Sequence, residues 1–594
     1  MADAAARPLR RRRSMAPWLL APALLLFLGV FIVPLGGIFY ESLGRSELSL
    51  AYYLEVFEDA VLIEVLVRTL TLSLTVTAIC LVLGYPVALL MLRSRGWVQR
   101  AIGMLIVLPL WTSILVRTYA WMVILGRKGL VNESLISIGL IDAPLDLLYN
   151  RFSVYVGMVH IMLPFMVLPL FAVMRRIDMN LVSAAWSMGA SRTRAFLVVF
   201  LPLSLPGVLA GSLLVFILSI GFFVTPALLG GLTDTTFVML IERQVNKLFN
   251  WPLAAAMSMT LLVATLALVI VYNRVLSSGG SSRFGNLWIR LVVAASSAGA
   301  LIDRARSHLA RSVPVLDPNR PTSKPPRKVP LVESAAWIVL CLMIFPILIL
   351  YPLSFSSAPY LQFPPPDYSV RWFENYFSRA DWLRPTLISF QIGAIVMVLG
   401  TVIGVAASIA LVRADFPLKK TVLGLLLSPI IVPTIISAVA LYYLFAKLGL
   451  VGTRASLVLA HLTLAVPFVI VVVSSALQRV DHALEQAAWT LGATKFVTFR
   501  KITLPLIRPA VITAALFAFL ASFDEVVIAI FLSGVIVKTL PKRMWEGIRE
   551  EVDPTVAAVA AILVTVSILL IVFAEILRRV GRQKGAAVHD ELLR

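Results

Sequence analysis

The sequence predicts an all-α integral membrane protein of 12 spans, arranged as two homologous bundles of six transmembrane helices. Three observations predict it. Of 594 residues, 60% are hydrophobic and only 14% charged, whereas a soluble domain sits near half and a quarter. Twelve separate runs are apolar and long enough to cross a hydrocarbon core, which takes about 20 residues each. One 31-residue segment recurs, without a gap, 303 residues further along the chain.

Taken in order, residues 1–15 form a basic N-terminal stretch containing Arg7 and Arg10 to Arg13. The apolar run that follows, 16–40, is too long for a signal h-region and lacks a clear cleavage site, so it reads as a retained first span. The first six-span unit covers 16–275, with further spans near 67–92, 101–126, 153–174, 207–231 and 253–273. The second covers 331–578, with spans near 332–356, 386–412, 421–446, 455–477, 510–534 and 554–577. Residues 579–594 form a cytoplasmic tail.

Placing the N-terminus inside puts Arg93, Arg95, Arg100, Arg175, Arg176, Arg192 and Arg194 in cytoplasmic connections. The acid-rich loop with Glu41, Glu47, Glu55, Glu58, Asp59 and Glu64 then lies outside. This follows the positive-inside rule, with Arg127 and Lys128 against it. The same rule accounts for the net charge of +21 without nucleic acid. Residues 276–330 then form a cytoplasmic linker with nine Lys or Arg and six prolines near its end, a composition that stays extended. Within it, 287–302 reads as a helix lying on the membrane surface. Cys80 and Cys341 lie in apolar runs, which argues against a disulfide framework or a zinc site.

The repeated segment spans 176–206 and 479–509, with thirteen of 31 positions identical; composition alone gives roughly two or three. Its physics is readable. Asp178 and Asp481 are placed to N-cap a short helix. Leu181, Ala184, Ala185 and Met188 share a face, as do Leu484, Ala487, Ala488 and Leu491. Gly189 and Gly492 stand where a left-handed C-cap is expected. Ser191 and Thr494 can cap a second helix that reaches Pro202 or Pro505 just before the next span. The product is a helix–turn–helix elbow, present twice, with small residues that let another protein approach closely.

This pattern resembles the EAA loop of ABC importer permeases: glutamate, two alanines, then Gly-Ala and a later Leu-Pro-Leu-x-x-Pro. The likeness extends to Leu108–Trp121 and Leu163–Leu170, which look like the first permease subunit of spermidine/putrescine-type importers. Ala460–Val473, Ser522–Val527 and Thr539–Trp545 look like the second. The resemblance implies the type I ABC importer permease fold, with two permeases fused in one chain. It implies that Ala184, Ala185, Gly189 and Ala190, with Glu485, Ala487, Ala488, Gly492 and Ala493, couple to ABC ATPase subunits in two copies. It also implies a periplasmic or lipid-anchored substrate-binding protein, and a multi-pass place in the bacterial inner membrane with both termini cytoplasmic. The first loop departs from the family pattern. Val182 and Ser183 stand where Glu485 stands in the second, so the loops are expected to grip unequally.

No G-x-x-x-x-G-K-[ST] phosphate loop occurs, so the chain holds no cofactor of its own and ATP and Mg belong to the partner ATPase. No metal-ligand or nucleophile motif stands out among His160, His308, His461, His482 and His589. His160 and His461 lie on apolar spans and read as structural.

Ionisable groups within a span cost about 2.5–3.5 kcal/mol each on insertion scales and mark candidate pathways. Asp524 and Glu525 fall inside the eleventh run, roughly 22 Å along it from Pro509 at about 1.5 Å per residue. One helix cannot aim both straight down one pore. Arg117, inside the third run, can partner either acid or hold a substrate carboxylate. Trp111, Tyr119, Trp121, Tyr442 and Tyr443 can add cation–π contacts or pack. The first half offers Gly221 and Phe222 where the acids stand, so any such site is asymmetric.

The expected function is a permease subunit that carries polyamines or a related small charged solute. Iron, thiamine and amino-acid or opine-like solutes are the alternatives. A twelve-span secondary transporter in two parallel halves is a further reading, but it has no use for a pair of ATPase-docking elbows. A membrane scaffold explains neither the elbows nor the intramembrane acids.

Overall fold

A computed structural model describes residues 16–44, 48–277, 330–360, 362–550 and 553–569. The N-terminal stretch, nearly all of the linker with its expected surface helix, the tail, His308 and His589 lie outside these residues.

The described residues are helical apart from short connections, with one isolated bridge between Ser356 and Tyr368. Among the described residues, nine unbroken helices are long and apolar enough to cross a membrane. Two of the twelve expected runs are instead sharply bent pairs. Gly96–Trp111 turns 97° into Ile114–Ser137, and Lys419–Ile431 turns 100° into Thr434–Lys447. Thr555–Leu569 is the described part of the twelfth. The third and ninth runs are therefore not the continuous spans the sequence suggested. The residues at each break, Thr112 and Val432, are extended, with ψ of 141° and 126°. A proline follows Val432 and pushes it out of the helical region.

The duplication holds at the level of elements. Arg151–Met174 repeats as Arg454–Leu477, Leu201–Ile220 as Leu504–Phe523, and Phe237–Asn246 as Leu540–Arg549. Each pair is displaced by 303 residues, whereas Ala60–Arg93 and Ala380–Arg413 are displaced by 320. The difference is a 17-residue excess in the first half, between Leu125 and residue 151, where Leu130–Ser137 forms an extra short helix. The Lys128 backbone carbonyl in this region accepts a hydrogen bond from the Phe363 N–H of the second half at 3.0 Å.

The halves interlock through their first spans. Pro330–Ser354 packs on Ala60–Arg93 and Ile114–Leu125 of the first half, and Val33–Ser42 packs on Thr434–Lys447 of the second. His160 crosses the same seam, its Nε2 3.0 Å from the Met343 carbonyl. One hydrophobic core runs through both halves, so neither bundle is a separate body.

Candidate functional site: the paired elbows and the seam cavity

Each elbow forms as its local sequence dictates. Asp178 accepts from the Asn180 N–H at 3.0 Å, and Asp481 from Ala483 at 2.9 Å. These contacts satisfy orphan N-terminal donors of Met179–Ser187 and His482–Thr490. Gly189 and Gly492 close the helices at φ of 86° and 85°, which a side chain would strain. Ser191 and Thr494 cap the next turn. That second helix does not stop at the proline. It passes through a π-helical turn, Phe196–Phe200 or Phe499–Thr503, straight into the fifth span of its half. The elbow's second helix and the fifth span of each half are therefore one continuous helix, Thr193–Ile220 or Lys495–Phe523, and the eleventh span starts at Lys495 rather than near Pro509.

Ala184, Gly189, Ala487 and Gly492 are exposed, and Ala190 and Ala493 half-buried. Ala185 and Ala488 are buried, so they anchor the elbow helices instead of joining Leu181 or Leu484 on the open face. That face is apolar and bare: Met188 is 82% exposed and Leu491 88%.

Glu485 is not held out for a partner. It is 5% exposed and engaged inside the chain. Arg413, at the end of Ala380–Arg413, places Nε 3.1 Å from one carboxylate oxygen, and Thr503 donates to the other at 2.8 Å. His482 adds Nδ1 at 3.3 Å. In the first half the matching residues are Arg93, Val182, Phe200 and Met179. Val182 and Phe200 are buried, while Arg93 is exposed. Sequence reading found the missing acid but not its internal partner.

Where the halves meet, a cavity of about 400 Å³ takes its walls from both. Asp524, Glu525, Arg117 and Trp111 all line it; Tyr119 does not. Tyr442 and Tyr443 pack instead against Trp251 as tilted rings, at 5.3 and 6.0 Å between ring centres. The remaining lining is mostly apolar, with Phe165, Phe222, Phe468 and Phe517. Trp111 meets Phe517 at 5.0 Å.

Both acids can face one space because they do not lie within a helix. Leu504–Phe523 ends at Phe523, and a new short helix runs Val527–Leu532. Glu525 caps that helix by accepting from the Ile528 N–H at 2.9 Å. Asp524 caps a helix of the other half: its Oδ2 accepts from the Ile114 N–H at 3.3 Å, the start of Ile114–Leu125. The positive helix N-terminus favours a carboxylate there. The first half builds the same junction without charge. Leu201–Ile220 ends at the same position, and Gly221 lies so close to Pro433 that a Cβ on it would sit 2.6 Å from the proline Cβ. Pro433 precedes Thr434–Lys447 as Ser113 precedes Ile114–Leu125.

Arg117 is 3% exposed, and its Nε and Nη1 have no hydrogen-bond partner. It makes no ion pair with Asp524 or Glu525, contrary to one of the expectations from sequence. Asp524 Oδ1 is likewise buried and unpartnered. His160 and His461 each make one hydrogen bond and leave the other ring nitrogen unmatched. No group of three or more potential metal ligands occurs among the described residues.

Residues 81–276 and 400–582 each match the family of binding-protein-dependent transport system inner membrane components. The spermidine/putrescine transport system permease protein PotB of Escherichia coli K12 is 36% identical over 216 residues, 36% of this chain and 78% of that protein. PotB of Haemophilus influenzae is 35% identical over 261 residues, 43% of this chain and 88% of that protein. The spermidine/putrescine permease PotC of the same organism is 34% identical over 244 residues, 41% of this chain and 94% of that protein. A solved bacterial ABC transporter involved in import of the acidic polysaccharide alginate aligns over 42% of this chain and 95% of its own. Its identity is 15% and its TM-score 0.33, too low a score to bear on function. With the family matched once in each half, the chain belongs to the binding-protein-dependent transport system inner membrane components and carries two such units in one polypeptide.

Proposed function

We propose that this chain is the membrane-spanning subunit of an ATP-driven importer for polyamines or a closely related small organic cation. The observation that carries this reading is the seam cavity. It is walled by apolar and aromatic side chains, and among the described residues its only carboxylates, Asp524 and Glu525, stand at a helix break between the two halves. Such a space suits a flexible alkyl chain ending in an ammonium, which the acids attract and the aromatic faces accept. The similarity to spermidine/putrescine permeases supports the same cargo. The bare apolar faces around Met188 and Leu491 are the docking points for two ATPase subunits on the cytoplasmic side. Because each elbow continues into a fifth span, ATP-driven motion of the motor reaches the cavity through a rigid rod. A soluble binding protein delivers cargo at the opposite face.

The test is ATP-dependent uptake of labelled putrescine and spermidine into proteoliposomes holding the chain, its ATPase and its binding protein. Asp524→Asn is expected to cut uptake at least about tenfold by removing a charge that only a cation needs. Polyamine uptake unaffected by Asp524→Asn removes that residue from the pathway. Uptake that survives ATP depletion while a proton gradient persists sinks the importer reading altogether.

A second reading, a solute bearing a carboxylate, rests on the unpartnered Arg117 guanidinium in the same cavity. Preferential uptake of an amino-carboxylate over putrescine would favour it.

A further inference from the structure

Arg117 poses a physical problem. A guanidinium that is nearly fully buried costs several kcal/mol unless its donors are satisfied, yet two of its nitrogens have no partner. The acid whose charge acts on it is Asp524. Asp524 in turn holds the Ile114 N–H with one oxygen and lies beside the Ser113 hydroxyl, while its Oδ1 is buried with no well-formed hydrogen bond. Both side chains line one cavity. They are the two members of an ion pair left unmade, on opposite sides of the seam. The cavity holds two carboxylates and one fixed cation, so it has room for about one further positive charge before its own repulsion rises.

We propose that Arg117 is a tethered counter-ion that competes with the cargo ammonium for Asp524. Arg117 already stands off from Asp524, with Nε and Nη1 unmatched; an arriving ammonium takes Asp524 Oδ1 while Arg117 stays back. When the motor moves the fifth-span rods, Arg117 closes onto Asp524, displaces the ammonium and resets the seam. Arg117 is thus a positioning residue for release. It lowers affinity in order to raise turnover. The inference rests on the reading of the cavity as the path of an organic cation.

The experiment measures two quantities on the complex with its ATPase. One is labelled putrescine binding in detergent without the binding protein. The other is the ATP-driven uptake rate in proteoliposomes with the binding protein saturating. Arg117→Gln is expected to bind putrescine about tenfold tighter, because a like charge beside the ligand is gone, and to turn over about tenfold more slowly. Arg117→Lys keeps the charge and should restore both values to within about threefold. Arg117→Met, which fills the same apolar space, serves if the Gln variant does not fold. A merely structural arginine predicts weaker binding or loss of protein, not tighter binding. Affinity that is unchanged or reduced in Arg117→Gln and Arg117→Met overturns the inference while leaving the cargo reading intact. A wild-type complex that neither binds nor moves putrescine overturns both.

Discussion

The two elbows share a backbone and differ in how they are fastened. In the second half a buried carboxylate, Glu485, ties the elbow to Arg413 at the end of a long span, with Thr503 and His482 completing its contacts. In the first half Val182 and Phe200 fill the same space with hydrocarbon, and Arg93 faces outward. Caps, left-handed glycines and π-helical turns are the same in both. The acid is therefore one solution to holding an elbow against its own bundle, and an apolar plug is another. This accords with buried ion pairs being replaceable by well-packed apolar side chains at little cost. It also changes the meaning of the missing acid in the first loop. The unequal grip expected from sequence assumed that Glu485 reaches outward, whereas its carboxylate is already spent within the chain.

The largest effect that sharpens this comparison is at the exposed face both elbows share. Met188→Glu and Leu491→Glu put a charge on each exposed apolar face, the proposed docking surface. Each is expected to abolish co-purification of the ATPase while leaving the chain folded in detergent. If only one does so, the elbows are unequal after all, and the difference lies outside Glu485.

Next is the fastening itself. Glu485→Ala strands the mostly buried Arg413 and should cost about 2–3 kcal/mol, seen as a lower thermal midpoint in detergent. The double replacement Glu485→Val with Arg413→Leu copies the apolar plug and should recover most of that loss. A double variant as unstable as the single one would mean the first half's solution does not transfer.

The last replacement runs the other way. Val182→Glu buries a carboxylate beside Phe200 while Arg93 faces outward, and should cost about 1–3 kcal/mol because no donor is placed to satisfy it. An unchanged thermal midpoint would show that Arg93 turns inward and that the first half accepts the second half's fastening.

The seam repeats the lesson with the signs reversed in consequence. Gly221 against Pro433 is a close steric contact, and Asp524 on the Ile114 N–H is an electrostatic one at the equivalent junction. Here the difference is not an alternative way of fastening the same joint. The charged version brings an unmatched carboxylate oxygen into the cavity and makes the cavity asymmetric.

By itself, the sequence determined whatever depends on neighbours along the chain. The repeat, the Asp caps and the glycine C-caps all follow from contacts within a few residues, and they stand as read. The bends in the third and ninth runs were less legible. Pro86, Pro164 and Pro467 sit inside unbroken helices, so proline alone does not distinguish a kink from a right-angled break. Only the tertiary structure decided that Glu485 closes on Arg413, 72 residues away, and that Asp524 caps a helix of the other half, 410 residues away. A buried charge is satisfied by whichever donor the packed halves bring to it, and that donor is fixed by how the first spans interlock, which no local pattern encodes.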